Sequence, residues 1–335
     1  MKDRTYLNYI NNFRGFAMLL IVAVHTIYLI AGTAPLQYNI LRVILANSSM
    51  LFIFISGYLF QYLLDKYKYG TYLAKKFKNV VLPYIIMSIP AIYLLLTKPE
   101  WIDTSWINTG SFQSKPVMVK IILFYITGSH LPQFWFIPMI CIFYLISPLL
   151  RYVDRHPKWY YGIPVLIVVS LIVDRSPLND NTLQSFVYFL PIYVLGMHTS
   201  HYTKEYFNLI TKNWMILLIA LVVLTGLSFV DERISYLQKL PVIFLCLFLF
   251  YKISSAKLDT VLGLVAKYSF GIFFIHKYTI IIVSYIYIKL SIDTFLNSGV
   301  LGLLFSFILI VAVSILLLIP FKLIFKKNSR LITGC

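Results

Sequence analysis

The sequence predicts an all-α polytopic membrane protein of about ten transmembrane helices, with the N- and C-termini both cytoplasmic. Three observations predict it. Hydrophobic residues make up 60% of the 335 positions and charged residues 12%, about half the charge of an ordinary soluble domain. Ten apolar runs follow one another, each long enough, or nearly so, to cross the hydrocarbon as a helix. Of the 29 lysines and arginines, 20 fall on the side that holds the N-terminus, 8 on the other, and Lys277 within a run. That asymmetry puts the basic side in the cytoplasm. Residues 1–335 therefore read as a single integral-membrane domain, because ten spans of about 20 residues leave room only for loops.

The runs lie at 13–31, 40–64, 79–97, 133–150, 159–174, 184–200, 213–230, 237–254, 262–290 and 299–325. The first contains His25 and is longer than the apolar core of a signal peptide, so it reads as a span. Between the third and fourth runs, Val117–Thr127 is apolar but has eleven residues and carries Lys120. It reads as an interfacial or re-entrant piece of the longest loop, 98–132. An eleventh crossing there would carry the cluster Lys322–Arg330 to the outer side. Pro83, Pro138, Pro164 and Pro191 are expected to break or bend their spans. Trp101, Trp106, Trp159 and Trp214 sit near span ends, as interfacial aromatics do.

The net charge of +17 is thus a loop property. No basic stretch interleaves with aromatics on a soluble face, which excludes nucleic acid as a partner and leaves membrane lipids. Three cysteines make no disulfide framework. Neither a phosphate loop, a dinucleotide fingerprint nor a zinc-protease spacing is present, so no bound cofactor and no metal are expected.

All 12 acids fall in loops or at span ends. The runs instead hold Arg14 near the inner edge, His25, Arg42 near the outer edge, His276 and Lys277. Ionisable groups at membrane depth are expensive and mark function, and a set that is only basic suits an anionic ligand. Arg14 and His25 are eleven residues apart, about 20° beyond three full turns, so they share a face about 16 Å apart along the axis. A guanidinium at the cytosolic rim can clamp phosphate, and an imidazole deeper in can take a proton from a nucleophile. Coenzyme A thioesters have that shape, with phosphates at one end and the reactive carbonyl at the other. The bland alternative is an arginine snorkelling to lipid phosphate and a satisfied core histidine.

Several separated motifs resemble the acyltransferase-3 family of bacterial membrane proteins. Arg14-x10-His25 resembles its first-span basic-x10-His motif. Phe54-Ile55-Ser56-Gly57-Tyr58 is similar to its Phe-x-Ser-Gly-Tyr stretch. Lys75-Lys76-Phe77-Lys78-Asn79, leading to Leu82-Pro83-Tyr84, is similar to its basic loop ending in Pro-Tyr. There the family usually has Arg-x-x-Arg, and Lys76 and Asn79 stand at the aligned positions. The match continues through Phe134-Trp135-Phe136-Ile137-Pro138, Ser147-Pro148-Leu149-Leu150 and Tyr193-Val194-Leu195-Gly196-Met197. It ends at Tyr268-Ser269-Phe270-Gly271-Ile272-Phe273-Phe274-Ile275-His276.

The resemblance implies an O-acyltransferase of the cytoplasmic membrane. Its donor would be a cytosolic acyl-CoA, usually acetyl-CoA. Its acceptor would be a hydroxyl of a cell-surface or exopolysaccharide glycan, still lipid-linked. By the same resemblance Arg14 meets the donor, His25 is the general base, and Lys76 contacts the donor as a point charge. Ser56 or Tyr58 would stabilise the oxyanion, and Trp135 would touch substrate. Ser269 and His276, seven residues apart, share a face. No acid is available to orient that imidazole as in a nucleophile pair, so His276 is expected to line the cavity and Ser269 to bond to its own helix. Rival readings are a lipid-linked polysaccharide exporter and a non-catalytic partner in glycan assembly.

Overall fold

The computed structural model describes residues 8–32, 34–98, 112, 114–175, 181–253, 256–290 and 299–335. Trp101 and Trp106 and the acids Asp3, Glu100, Asp103, Asp180 and Asp293 lie outside them. Each apolar run becomes a helix, because backbone polar groups can be satisfied within a helix even where no water reaches them. In chain order these are α1 (Asn8–Thr26), α2 (Pro35–Leu45), α3 (Ser49–Tyr62), α4 (Tyr69–Lys76) and α5 (Leu82–Thr97). Then come α6 (Val117–Thr127), α7 (Phe136–Leu145), α8 (Ser147–Arg155), α9 (Ile163–Val173) and α10 (Thr182–His201). The last are α11 (Thr203–Ser228), α12 (Ile234–Lys252), α13 (Ala256–Lys289), α14 (Val300–Phe325) and α15 (Ser329–Thr333). No strand occurs among the described residues.

Seven stretches are long and apolar enough to cross a membrane, and eight if α7 and α8 form one span bent by 58°. Two further expected runs are helical but fall short of that test: Pro157–Val173 is a shorter apolar piece, and α10 carries polar residues at both ends. The α7–α8 bend lies at Ser147-Pro148, where Pro148 starts a new helix and Ser147 Oγ donates to Tyr144 O at 2.6 Å. Of the four expected prolines, Pro83 and Pro164 sit in first turns, which need no N–H there, and Pro191 lies inside α10. Pro90 interrupts α5, and the Tyr278 hydroxyl donates to the neighbouring Met87 carbonyl at 2.7 Å.

The bundle is organised around α1, which runs along α13 and touches α3, α12 and α14. By contrast α11 lies at the periphery, with Met215, Ile216, Ile219 and Val222 exposed as lipid-facing residues are. Two glycines let neighbouring backbones cross. A Cβ on Gly57 would strike the Tyr193 carbonyl, and one on Gly196 would strike the Phe54 carbonyl, so α3 and α10 meet backbone to backbone.

The two ends of the bundle are stitched separately. At one end Arg42 pairs with Glu232 (3.0 Å) and Asn47 bonds to Ser235 (2.9 Å). At the other, Tyr9 and Tyr58 share a 2.8 Å hydrogen bond, and Asp154 accepts from Tyr160 (2.6 Å) and pairs with His201 (2.9 Å).

Candidate active site

The site is set by the pairing of α1 with α13. Gly15 makes it close, for a Cβ there would meet the Leu262 carbonyl. Asn12 Nδ2 donates to Asp259 Oδ1 at 2.5 Å and fixes the register. The two helices run parallel, so the contacts recur further along, and His25 comes to face His276 with ring centroids 5.2 Å apart. His276 is fully buried, and its Nδ1–H donates to Ile272 O at 2.9 Å. That bond puts the proton on Nδ1 and leaves Nε2 a bare acceptor, with no partner among the described residues.

Arg14 stands on α1 about 16 Å before His25 (eleven residues at 1.5 Å each), and its Nη2 donates to Asn11 Oδ1 at 2.9 Å. Lys76 closes α4, ahead of a π-helical turn at Phe77–Val81. Lys75 and Lys78 are exposed, whereas Lys76 turns inward over the rings of Tyr144 (4.6 Å) and Tyr72 (5.3 Å). Arg330 is near enough to act on it electrostatically, so two cations converge there.

Tyr58 bonds to Tyr9 and to Thr203 Oγ1 (3.2 Å). Tyr9 lies about 24 Å along α1 from His25 at 1.5 Å per residue, so Tyr58 and Ser56 stand at the Arg14 end. Ser56 Oγ, moreover, donates to Phe52 O of its own helix at 2.8 Å. The oxyanion role expected of either residue does not fit, because neither reaches a carbonyl beside His25. Ser269 likewise donates within its helix, to Ala266 O at 2.8 Å.

At the His25 end one wall is the turn 128–135 between α6 and α7. Gly128 ends α6 in the left-handed conformation (φ +70°), where a side chain would collide with the Phe134 carbonyl. The segment α6 does run back along α5, as a re-entrant piece would: Tyr84 Oη donates to Tyr125 O (3.0 Å) and Tyr125 Oη to Ile85 O (3.1 Å). The turn is thereby held against α13, where Phe134 packs on Phe273 and Phe274 and Phe273 packs on His276.

Trp135 stacks on Phe189 (5.4 Å), and the Arg175 guanidinium lies 4.0 Å over the Trp135 ring. Arg175 and Lys277 both lie close enough to His25 to act on it electrostatically. Burial pulls the Arg175 guanidinium down to about 10, which leaves it charged at neutral pH. Nothing in the local sequence marks Arg175, whose aromatic seat on Trp135 is forty positions away.

His130, in the turn ahead of α7, is fully buried. The rings of Tyr84, Phe124, Tyr125 and Phe134 enclose it at 5.1–6.1 Å. Its Nδ1–H donates to Phe124 O at 3.1 Å. Nε2 is left bare, and Gln133, 2% exposed, has neither amide atom bonded among the described residues. A buried polar group left unmade costs about 1–3 kcal/mol.

A family model described as an acyltransferase domain, that of the acyltransferase-3 family, matches residues 7–319, nearly the whole chain. No curated protein and no solved structure matches the chain significantly.

Proposed function

The chain belongs to the acyltransferase-3 family and is a multi-pass membrane acyltransferase, and from that premise we propose that it moves an acetyl group from cytosolic acetyl-CoA to a glycan hydroxyl. The acceptor is a cell-surface glycan in lipid-linked form, and the membrane is the cytoplasmic one, with the Arg14 end facing the cytosol. The single observation that carries the reading is the facing pair His25–His276 at the far end of α1 from Arg14. A donor laid along α1 has its phosphates at the cationic end and its thioester beside the imidazoles. Arg14 and Lys76, with Arg330 close by, hold phosphate.

In this account His25 takes the proton of the acceptor hydroxyl as the oxygen attacks the thioester carbonyl. The tetrahedral oxyanion forms opposite Arg175, a cation held in place by Trp135. Collapse breaks the carbon–sulfur bond, and the departing CoA thiolate recovers the proton from His25. His276 positions the base: with substrate bound, its Nε2, bare in the structure, accepts the N–H of His25 and keeps the other nitrogen of that ring basic. The proton moves from the hydroxyl to His25 and from His25 to the thiolate as the C–O bond forms and the C–S bond breaks, so the step balances and no acyl-enzyme forms.

The test supplies membranes containing the protein with acetyl-CoA and follows base-labile acetyl esters in the lipid-linked glycan fraction. Esters that depend on the protein support transfer. An exporter would move glycan while leaving the thioester intact.

A further inference from the structure

We propose that the turn 128–135 is the acceptor wall of the site, in which His130 Nε2 and the Gln133 amide receive adjacent hydroxyls of a sugar ring. The proposal rests on the acyltransfer reading and names the face of the site that reads its acceptor. Three buried polar atoms without partners among the described residues, His130 Nε2 and both amide atoms of Gln133, lie within four residues of one turn. They differ in kind: the imidazole nitrogen accepts only, while the amide offers a donor and an acceptor. A pair of neighbouring hydroxyls, each able to donate and accept, satisfies such a set.

Placement favours the acceptor over the donor. The turn contacts α13 through Phe134, beside the residue that packs on His276, and so belongs to the His25 end. Arg14, the cation on α1, stands about 16 Å from His25 along the helix axis. The α6 segment before the turn and the start of α10, where Thr182 Oγ1 donates to Ile126 O at 3.0 Å, hold the wall from the side opposite the Arg14 end.

Two isosteric variants test it, Gln133→Leu and His130→Phe, with Gln133→Met as a second filling of the same volume. Initial rates of label transfer from radiolabelled acetyl-CoA to the lipid-linked glycan fraction are measured against each substrate in turn, alongside thermal unfolding of the purified full-length proteins. The expected result is an acceptor KM raised about tenfold or more per variant, since each loses hydrogen bonds to a polar ligand. The donor KM stays put. The unfolding midpoint of the Gln133 variants does not fall, because an apolar group replaces unsatisfied polar atoms, and that of His130→Phe falls only by the loss of its bond to Phe124 O. An unchanged acceptor KM with a lower midpoint means the atoms serve the fold, and overturns the proposal. A rise in donor KM instead assigns the wall to the donor and overturns it too. Wild-type protein that transfers no label refutes the acyltransfer reading itself, and the acceptor wall with it. Wild-type transfer with unaltered variants refutes the wall alone.

Discussion

His25 and His276 face each other across the α1–α13 contact at a centroid distance of 5.2 Å, though 251 positions apart in the chain. The proton of His276 is committed to Ile272 O, so the nitrogen it can offer a neighbour is an acceptor. An acceptor beside a base orients the base. His276→Leu is therefore expected to lower kcat by about 100-fold through misplacement of His25, leaving both KM values nearly unchanged. His276→Gln, which keeps an acceptor, is expected to recover much of the rate. Equal losses in the two variants would mean that His276 only fills space.

The α3–α10 crossing makes a stability prediction. With Gly57 and Gly196 each lying against the other helix's backbone, a methyl group cannot be accommodated by moving a side chain. Gly196→Ala is expected to destabilise by about 1–3 kcal/mol or more, seen as a lower thermal midpoint of the solubilised protein. Gly226→Ala, in α11 with open space around it, is the control and is expected to be neutral or slightly stabilising.

Arg175 makes a catalytic one. Its planar guanidinium lies over the Trp135 ring, a seat that a lysine ammonium fills poorly. Arg175→Lys is expected to cost about 10²–10³ in kcat if the group meets the oxyanion, with little change in donor affinity. Because burial brings the guanidinium down to about 10, the native rate should be insensitive to its titration below pH 9 and fall as pH passes 10. A rate that keeps its value through that range would remove Arg175 from the chemistry.

How much of this was legible in the residues depends on how local the cause is. The helices were, because a long apolar run has one way to satisfy its backbone in lipid. Their ends moved: the third run, placed at 79–97, is continuous with the basic loop as Tyr69–Thr97. The Arg14–His25 face follows from helical period alone. Lys76 could be singled out only by motif, and its inward turn past exposed Lys75 and Lys78 needs the aromatic seat supplied by Tyr72 and Tyr144. Gly57 and Gly196 stood in separate motifs, and each explains the other only once two backbones cross. The burial of His130 is not legible in its own stretch of chain, because burial of a turn depends on what folds over it, here Tyr84 and Phe134. Ser56 and Tyr58 were given the wrong height for the carbonyl, since depth along one helix does not fix depth along its neighbour.

The most direct test of the central claim is label transfer from radiolabelled acetyl-CoA to the lipid-linked glycan fraction by the native protein and His25→Ala, expressed to equal levels. Loss of the general base is expected to cut the rate by about 10²–10⁴-fold, while acetyl-CoA still binds with native affinity through Arg14. A His25→Ala protein that transfers label within a few-fold of the native rate would contradict the account.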